Sequence, residues 1–163
     1  LTFMAPSKTF NLAGLYLSNV IVSNEELRGK FLGQLQRLSM CHLGVFGPVA
    51  AEASYREGGD WLDRLLTYLE DNVRYVTGQL GKITQKIKVI QPEGTFVLWL
   101  DCRDLGIPWE ELNKFFVREA GLAFNDGAMF GPTGAGYQRM NIGCPRGLIT
   151  EAMERMALAL KNY

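Results

Sequence analysis

Leu62, Leu65, Leu69, Val73, Val76, Leu80 and Ile83 recur at steps of three and four, with Asp63, Arg64, Glu70, Asp71 and Arg74 mostly on the other side. An apolar stripe of that period predicts a helix laying one face on a core, with Asp60 as its N-cap. At ~3.6 residues per turn the stripe runs for about six turns, a length that suits a connection between two domains. Upstream, Ser23-Asn24-Glu25-Glu26 reads as a capping box, with Ser23 as the cap. It predicts a helix over 24–38 carrying Leu27, Phe31, Leu35 and Leu38, weakened by Gly29 and Gly33. A second helix is expected from Phe46 to Tyr55, stopped at Gly58-Gly59. Further on, Pro108 opens and Gly121 closes a helix bearing Leu112, Phe115, Phe116 and Ala120. The last, from about Leu148 to Lys161, turns Ile149, Met153, Met156 and Leu160 inward.

Between the helices lie short β-branched or aromatic runs. Leu17 to Val22 predicts a buried strand, Lys88 to Gln91 a short one, and Thr95 to Leu100 the strongest in the chain. Pro92-Glu93-Gly94 forms the turn between the last two, and Gln138 to Ile142 is again strand-like. The pattern divides the chain near residue 75. Residues 1–75 have the look of the end of a larger domain, and 76–163 that of a compact α+β domain.

Charge removes whole classes of function. Seventeen basic and seventeen acidic side chains cancel, leaving no electrostatic footprint for nucleic acid or an acidic membrane surface. No apolar stretch approaches the ~20 residues of a membrane helix, and the first residues do not have the form of a secretion signal. Cys41, Cys102 and Cys144 are widely spaced and form no C-x-x-C pair, which argues against a disulfide framework or structural zinc. They read as reduced, mostly buried thiols of a cytoplasmic protein. His42 is the single histidine, so metal clusters or catalytic pairs needing a second one are excluded. No metal site is expected.

Two segments carry candidate chemistry. The first is Ala5-Pro6-Ser7-Lys8-Thr9-Phe10-Asn11-Leu12-Ala13-Gly14-Leu15. A lysine held against apolar Phe10, Leu12 and Leu15 would lose solvation of its ammonium form and present a nucleophilic amine, as a Schiff-base lysine must. Ser7 could meet a phosphate through its hydroxyl and backbone N–H. The second is Gln138-Arg139-Met140-Asn141-Ile142-Gly143-Cys144-Pro145-Arg146. An arginine at a strand end, with its planar fork of donors, suits a carboxylate. Residue type alone leaves a substrate carboxylate and an internal ion pair equally open for Arg139. Arg146, following Cys144-Pro145, suits structuring the turn into the last helix. The run Gly127 to Gly136 has no Gly-Lys-Ser/Thr ending of a phosphate loop and is expected to be flexible.

Together these segments resemble the fold-type I pyridoxal-phosphate enzymes of the aminotransferase class I/II superfamily, most closely the cystathionine β-lyase (C–S lyase) branch. The resemblance implies an α/β fold with an α+β C-terminal domain: the end of a large domain, a long connecting helix and a small domain. It implies pyridoxal 5'-phosphate as cofactor, held by Lys8 and contacted by Ser7, and Arg139 on the α-carboxylate of an amino-acid substrate, with Arg146 as fallback. The glycine-rich run would be a gate beside the substrate entrance. Many aminotransferases have a serine and an arginine where this chain has Ala5 and Tyr16, a departure that favours the lyase branch. The resemblance further implies a parent enzyme more than twice this length, a cytoplasmic homodimer, of which this chain is the C-terminal portion and by itself inactive. A class I/II aminotransferase is the alternative reading, and a non-catalytic fragment or interaction module the second.

Overall fold

Thr2–Met4 (β1) and Asn19–Ile21 (β2) pair antiparallel, with Phe3 opposite Val20, so the lysine segment is the connection between two bonded strands. This computed structural model describes residues 1–162. Two compact units make up the chain, Leu1–Leu65 and Leu66–Tyr163.

In the first unit β2 leads into α1 (Glu25–Arg37), then α2 (Phe46–Glu57), then the first turns of α3 (Gly59–Ile83). The cap of α1 is Asn24, not Ser23: its Oδ1 accepts from the Leu27 N–H at 2.8 Å. Asparagine competes well with serine for that role, and Glu26, expected to reach back, instead pairs with Lys30 at 2.6 Å. Strand β2 also departs from expectation, because only Val20 within it is even half-buried. Within this unit Pro6, Gly47 and Ala51 are buried, while Phe3, Ile21, Leu32, Leu43, Val45 and Phe46 lie exposed.

Helix α3 continues into the second unit, where Leu69, Asn72, Val73, Val76 and Leu80 are buried at steps of three and four. There it is followed by β3 (Lys88–Ile90), β4 (Val97–Asp101), α4 (Trp109–Glu119), β5 (Asn125–Asp126), β6 (Tyr137–Asn141) and α5 (Arg146–Ala159). The four strands form one antiparallel sheet in the order β3-β4-β6-β5. Strand alternation divides its side chains. Leu98 and Leu100 of β4 and Gln138 and Met140 of β6 are buried. With Leu112 and Phe116 of α4, Ile149 and Met156 of α5 and the α3 stripe, they make the core. Trp99, Asp101, Tyr137 and Arg139 stand on the opposite face of the sheet, half-buried.

One polar pin crosses this core. Asn72, fully buried, donates from Nδ2 to the Ile142 carbonyl at 2.9 Å and accepts on Oδ1 from Arg146 Nε at 2.7 Å. It ties α3 to the turn between β6 and α5, so none of these groups is left unpaired in a dry interior.

Candidate active site

Lys8 sits in a single helical turn closed by the Phe10 N–H on the Pro6 carbonyl (2.9 Å) and the Leu12 N–H on the Ser7 carbonyl (3.0 Å). That turn overturns one expectation: Lys8 is exposed and is not held against its apolar neighbours. Phe10, two residues on, does not share a face of that turn with Lys8. Phe10 turns away from Lys8, stacking on Trp61 (centroids 6.1 Å apart) and meeting Tyr55 edge-on (6.0 Å). Gly58 permits this, because a Cβ there would stand 2.7 Å from Phe10 Cε1 and 2.4 Å from the Ser54 carbonyl oxygen. Phe10 therefore anchors the loop to the junction of α2 and α3 and leaves the amine free. Ser7 is half-buried. Tyr16, in the place where many aminotransferases have a phosphate-binding arginine, is 92% exposed and left-handed (φ 49°).

A carbonyl-bearing phosphate ester needs an amine and hydrogen-bond donors for its anion. The Lys8 amine and the Ser7 hydroxyl, on one short turn and engaged in no hydrogen bond among the described residues, are of that chemistry. The donor set of this segment fits such a group.

Arg139 lies in the other unit, on β6. Its neighbours in register are Trp99 on β4 and Asn125 on β5. Asn125 Oδ1 accepts from both Nε (3.3 Å) and Nη2 (2.9 Å) of the guanidinium, and the Phe130 ring lies beneath it, 4.6 Å from Cζ. Among the described residues no carboxylate pairs with Arg139, so the internal ion pair left open by the sequence does not form. Trp99 joins the cluster, meeting Phe130 edge-on and stacking on Tyr137 (5.7 and 5.4 Å). Beyond Tyr137, Arg103 lies 4.9 Å over the ring and bonds Asp101 at 2.7 Å. That hydrogen bond holds the Asp101 carboxyl below the usual carboxylate range, against the opposing effect of its partial burial.

Arg146 has a different setting. Its Nε bond to Asn72 and its position 4.6 Å over the Tyr75 ring commit it to the α3 junction.

The glycine-rich run is not an open loop. Gly127–Phe130 and Pro132–Gly134 are two 3-10 turns that meet backbone to backbone. A Cβ on Gly127 would lie 2.2 Å from the Gly134 oxygen, and one on Gly134 2.1 Å from the Gly127 oxygen. Asp126 caps the first turn through the Ala128 N–H at 3.0 Å. This closure is what brings Phe130 under Arg139. Asn125 and Phe130 were missed by sequence reasoning. Asn-Asp-Gly reads as a turn, since those residues are depleted in strands, and only the register with β6 reveals the pairing.

The sequence signature described as "Aminotransferase class I and II" matches residues 2–156. The chain belongs to that family. It is 36% identical over 159 residues to cystathionine beta-lyase PatB of Bacillus subtilis, covering 98% of this chain and 41% of that protein. It is 30% identical over 156 residues to protein MalY of Escherichia coli, covering 95% and 40% respectively. The crystal structure of cystalysin from Treponema denticola, which contains pyridoxal 5'-phosphate, superposes with a TM-score of 0.93 at 35% identity, over 98% of this chain and 41% of that one. The chain thus has the fold of these pyridoxal-phosphate enzymes over the part it shares with them, and spans about 41% of the length of such relatives. Among the described residues no helix is long and apolar enough to cross a membrane.

Proposed function

We propose that this chain is the C-terminal portion of a pyridoxal-phosphate C–S β-lyase, resembling cystathionine β-lyase and acting on sulfur-containing amino acids. The observation that carries the site assignment is Arg139: a half-buried guanidinium, oriented by a neutral amide and an aromatic ring, whose charge no acidic side chain balances. Such a group is suited to an incoming carboxylate. Lys8 is the cofactor lysine in this reading, Ser7 a donor to the phosphate, and Arg139 the binder of the substrate α-carboxylate. Residues 1–75 belong to the large cofactor domain and 76–163 to the small domain.

When bound, pyridoxal phosphate supplies an aldehyde for amino groups and a ring that draws off the electron pair left at the substrate Cα. Arg139 fixes one end of the substrate by its carboxylate. The Lys8 amine takes the proton from Cα, and the thiolate departs from Cβ. Hydrolysis of the remainder gives pyruvate and ammonia. Were thiolate loss not to follow, the same proton transfer by Lys8 would serve transamination instead, so product analysis separates the two outcomes. The full-length enzyme is read as a cytoplasmic homodimer, in keeping with three widely spaced cysteines that form no C-x-x-C pair. The 163 residues alone are expected to show no turnover.

Borohydride reduction of the full-length holoenzyme and peptide mapping should label the peptide containing Lys8. A label on another lysine would end the assignment. Arg139→Ala should lower kcat/KM by the equivalent of about 2–5 kcal/mol, the usual cost of removing one partner of a hydrogen-bonded charge pair. The Lys8 label should persist in that variant. Loss confined to Arg146→Ala would move the carboxylate site there.

A further inference from the structure

Four arginines among the described residues are neutralised close to home. Arg56, Arg74, Arg103 and Arg155 pair with Glu52, Glu70, Asp101 and Glu151, each within four residues. Arg139, like Arg146 on Asn72 and Tyr75, is held instead by a neutral amide and an aromatic ring. Its partner Asn125 comes from another strand, directly opposite in register, and Oδ1 takes the Nε and Nη2 hydrogens together. An aspartate at that position would be nearly the same shape and would bind a guanidinium more strongly. It would also cancel the charge. Asparagine fixes direction without cancelling charge, and the adjoining acid, Asp126, is engaged with the Ala128 N–H.

We propose that Asn125 is a positioning residue for substrate recognition, aiming the Arg139 guanidinium while leaving its positive charge free for one carboxylate. This rests on the reading that Arg139 binds the substrate carboxylate. With Nε and the near side of Nη2 taken by Asn125, the edge left for a ligand is the one shared by Nη1 and Nη2. The Phe130 ring covers one flat face. A carboxylate therefore meets the fork end-on, by two parallel bonds, in the plane set by Asn125. Asn125 touches no reacting atom in this scheme and acts only through Arg139.

The test uses the full-length holoenzyme with β-chloro-L-alanine, a minimal β-elimination substrate bearing one carboxylate, and its methyl ester, which has none. Asn125→Ala should raise KM for the acid about tenfold, as expected for coupled neighbours, with kcat changed less than about twofold. The ester should respond no more than the parent enzyme does. Asn125→Asp should be worse than Ala towards the acid, because it neutralises Arg139, and Asn125→Ser, a neutral acceptor, should recover part of the loss. In an Arg139→Ala background none of these changes should matter. A merely structural asparagine predicts the reverse order, with Asp tolerated and acid and ester affected alike. Either of those results overturns the proposal. The two levels also fail separately. If Arg139→Ala keeps full preference for acid over ester, the carboxylate reading itself falls. If Arg139→Ala loses that preference while Asn125→Ala keeps it, Arg139 stands and only the role of Asn125 is lost.

Discussion

Replacing Gly127 by alanine should damage the second unit through one atom. A Cβ there would stand 2.2 Å from the Gly134 carbonyl oxygen and 2.7 Å from that of Tyr137. Comfortable contacts between heavy atoms lie near ~3.5 Å, so the two 3-10 turns must separate by more than about 1 Å. Both obstacles are main chain, and no flexible side chain can yield in their place. Overpacking of this kind costs about 1–3 kcal/mol. Moving Phe130 off the Arg139 guanidinium forfeits up to about 1 kcal/mol more if the ring is displaced. For a unit of this size each kcal/mol lowers Tm by roughly 4–8 °C. Thermal unfolding followed by near-ultraviolet circular dichroism measures this directly, because Trp99 meets Phe130 edge-on. Gly78→Ala, within α3 where an added Cβ meets nothing within 4 Å, is the control and should be neutral or stabilising by up to about 1 kcal/mol. A Gly127→Ala protein melting within about 1 °C of its parent would refute the closed-turn argument.

Asn72→Ala should destabilise the second unit by about 1–3 kcal/mol per group left unpaired, here the Ile142 carbonyl and Arg146, as urea unfolding would show. An Asn72→Ala midpoint equal to the parent's would remove the pin from the account. Asp101→Asn tests the Arg103 pair. Because the folded carboxyl titrates below its ordinary value, its contribution is present at neutral pH and disappears as pH falls below about 4. The stability difference, about 1 kcal/mol or less for so exposed an arginine, should close in acid, and a gap that widened there would contradict the sign. Iodoacetamide should modify exposed Cys41 well before Cys102, whose thiol burial pushes up to about 12. Equal labelling in the folded protein would be incompatible with that burial.

Periodicity made the long helix α3 legible, since it buries one stripe and the spacing of Leu69, Val73, Val76 and Leu80 records it directly. Glycine and proline marked helix ends: Gly58 caps α2, Pro108 precedes α4 and Gly121 takes φ 63° just beyond it. What stayed hidden was set by pairing across distance. Strand β1 carries no alternation in burial, and β5 is two residues that favour turns. Lys8 and Arg139 could be singled out by residue type and motif. The setting of Phe10 depends on ring partners, Tyr55 and Trp61, that lie more than forty residues along the chain. Asn125 became visible only through the β5–β6 register, which a linear reading does not contain.

The order β3-β4-β6-β5 also governs the route by which the second unit assembles. β3 and β4 are joined by a short turn and can pair early, whereas β6 reaches β4 only after α4 and the two 3-10 turns have been threaded between them. Closing so long an excursion is entropically slow compared with local hairpin or helix formation. Arg139 acquires both neighbours, Trp99 and Asn125, only when that ladder closes. The setting of its guanidinium is accordingly among the last features to form, and pulse-labelled hydrogen exchange should find the β6 amides protected later than those of α3. A nascent chain would hold its long helix well before the ring and amide neighbours of Arg139 were in place.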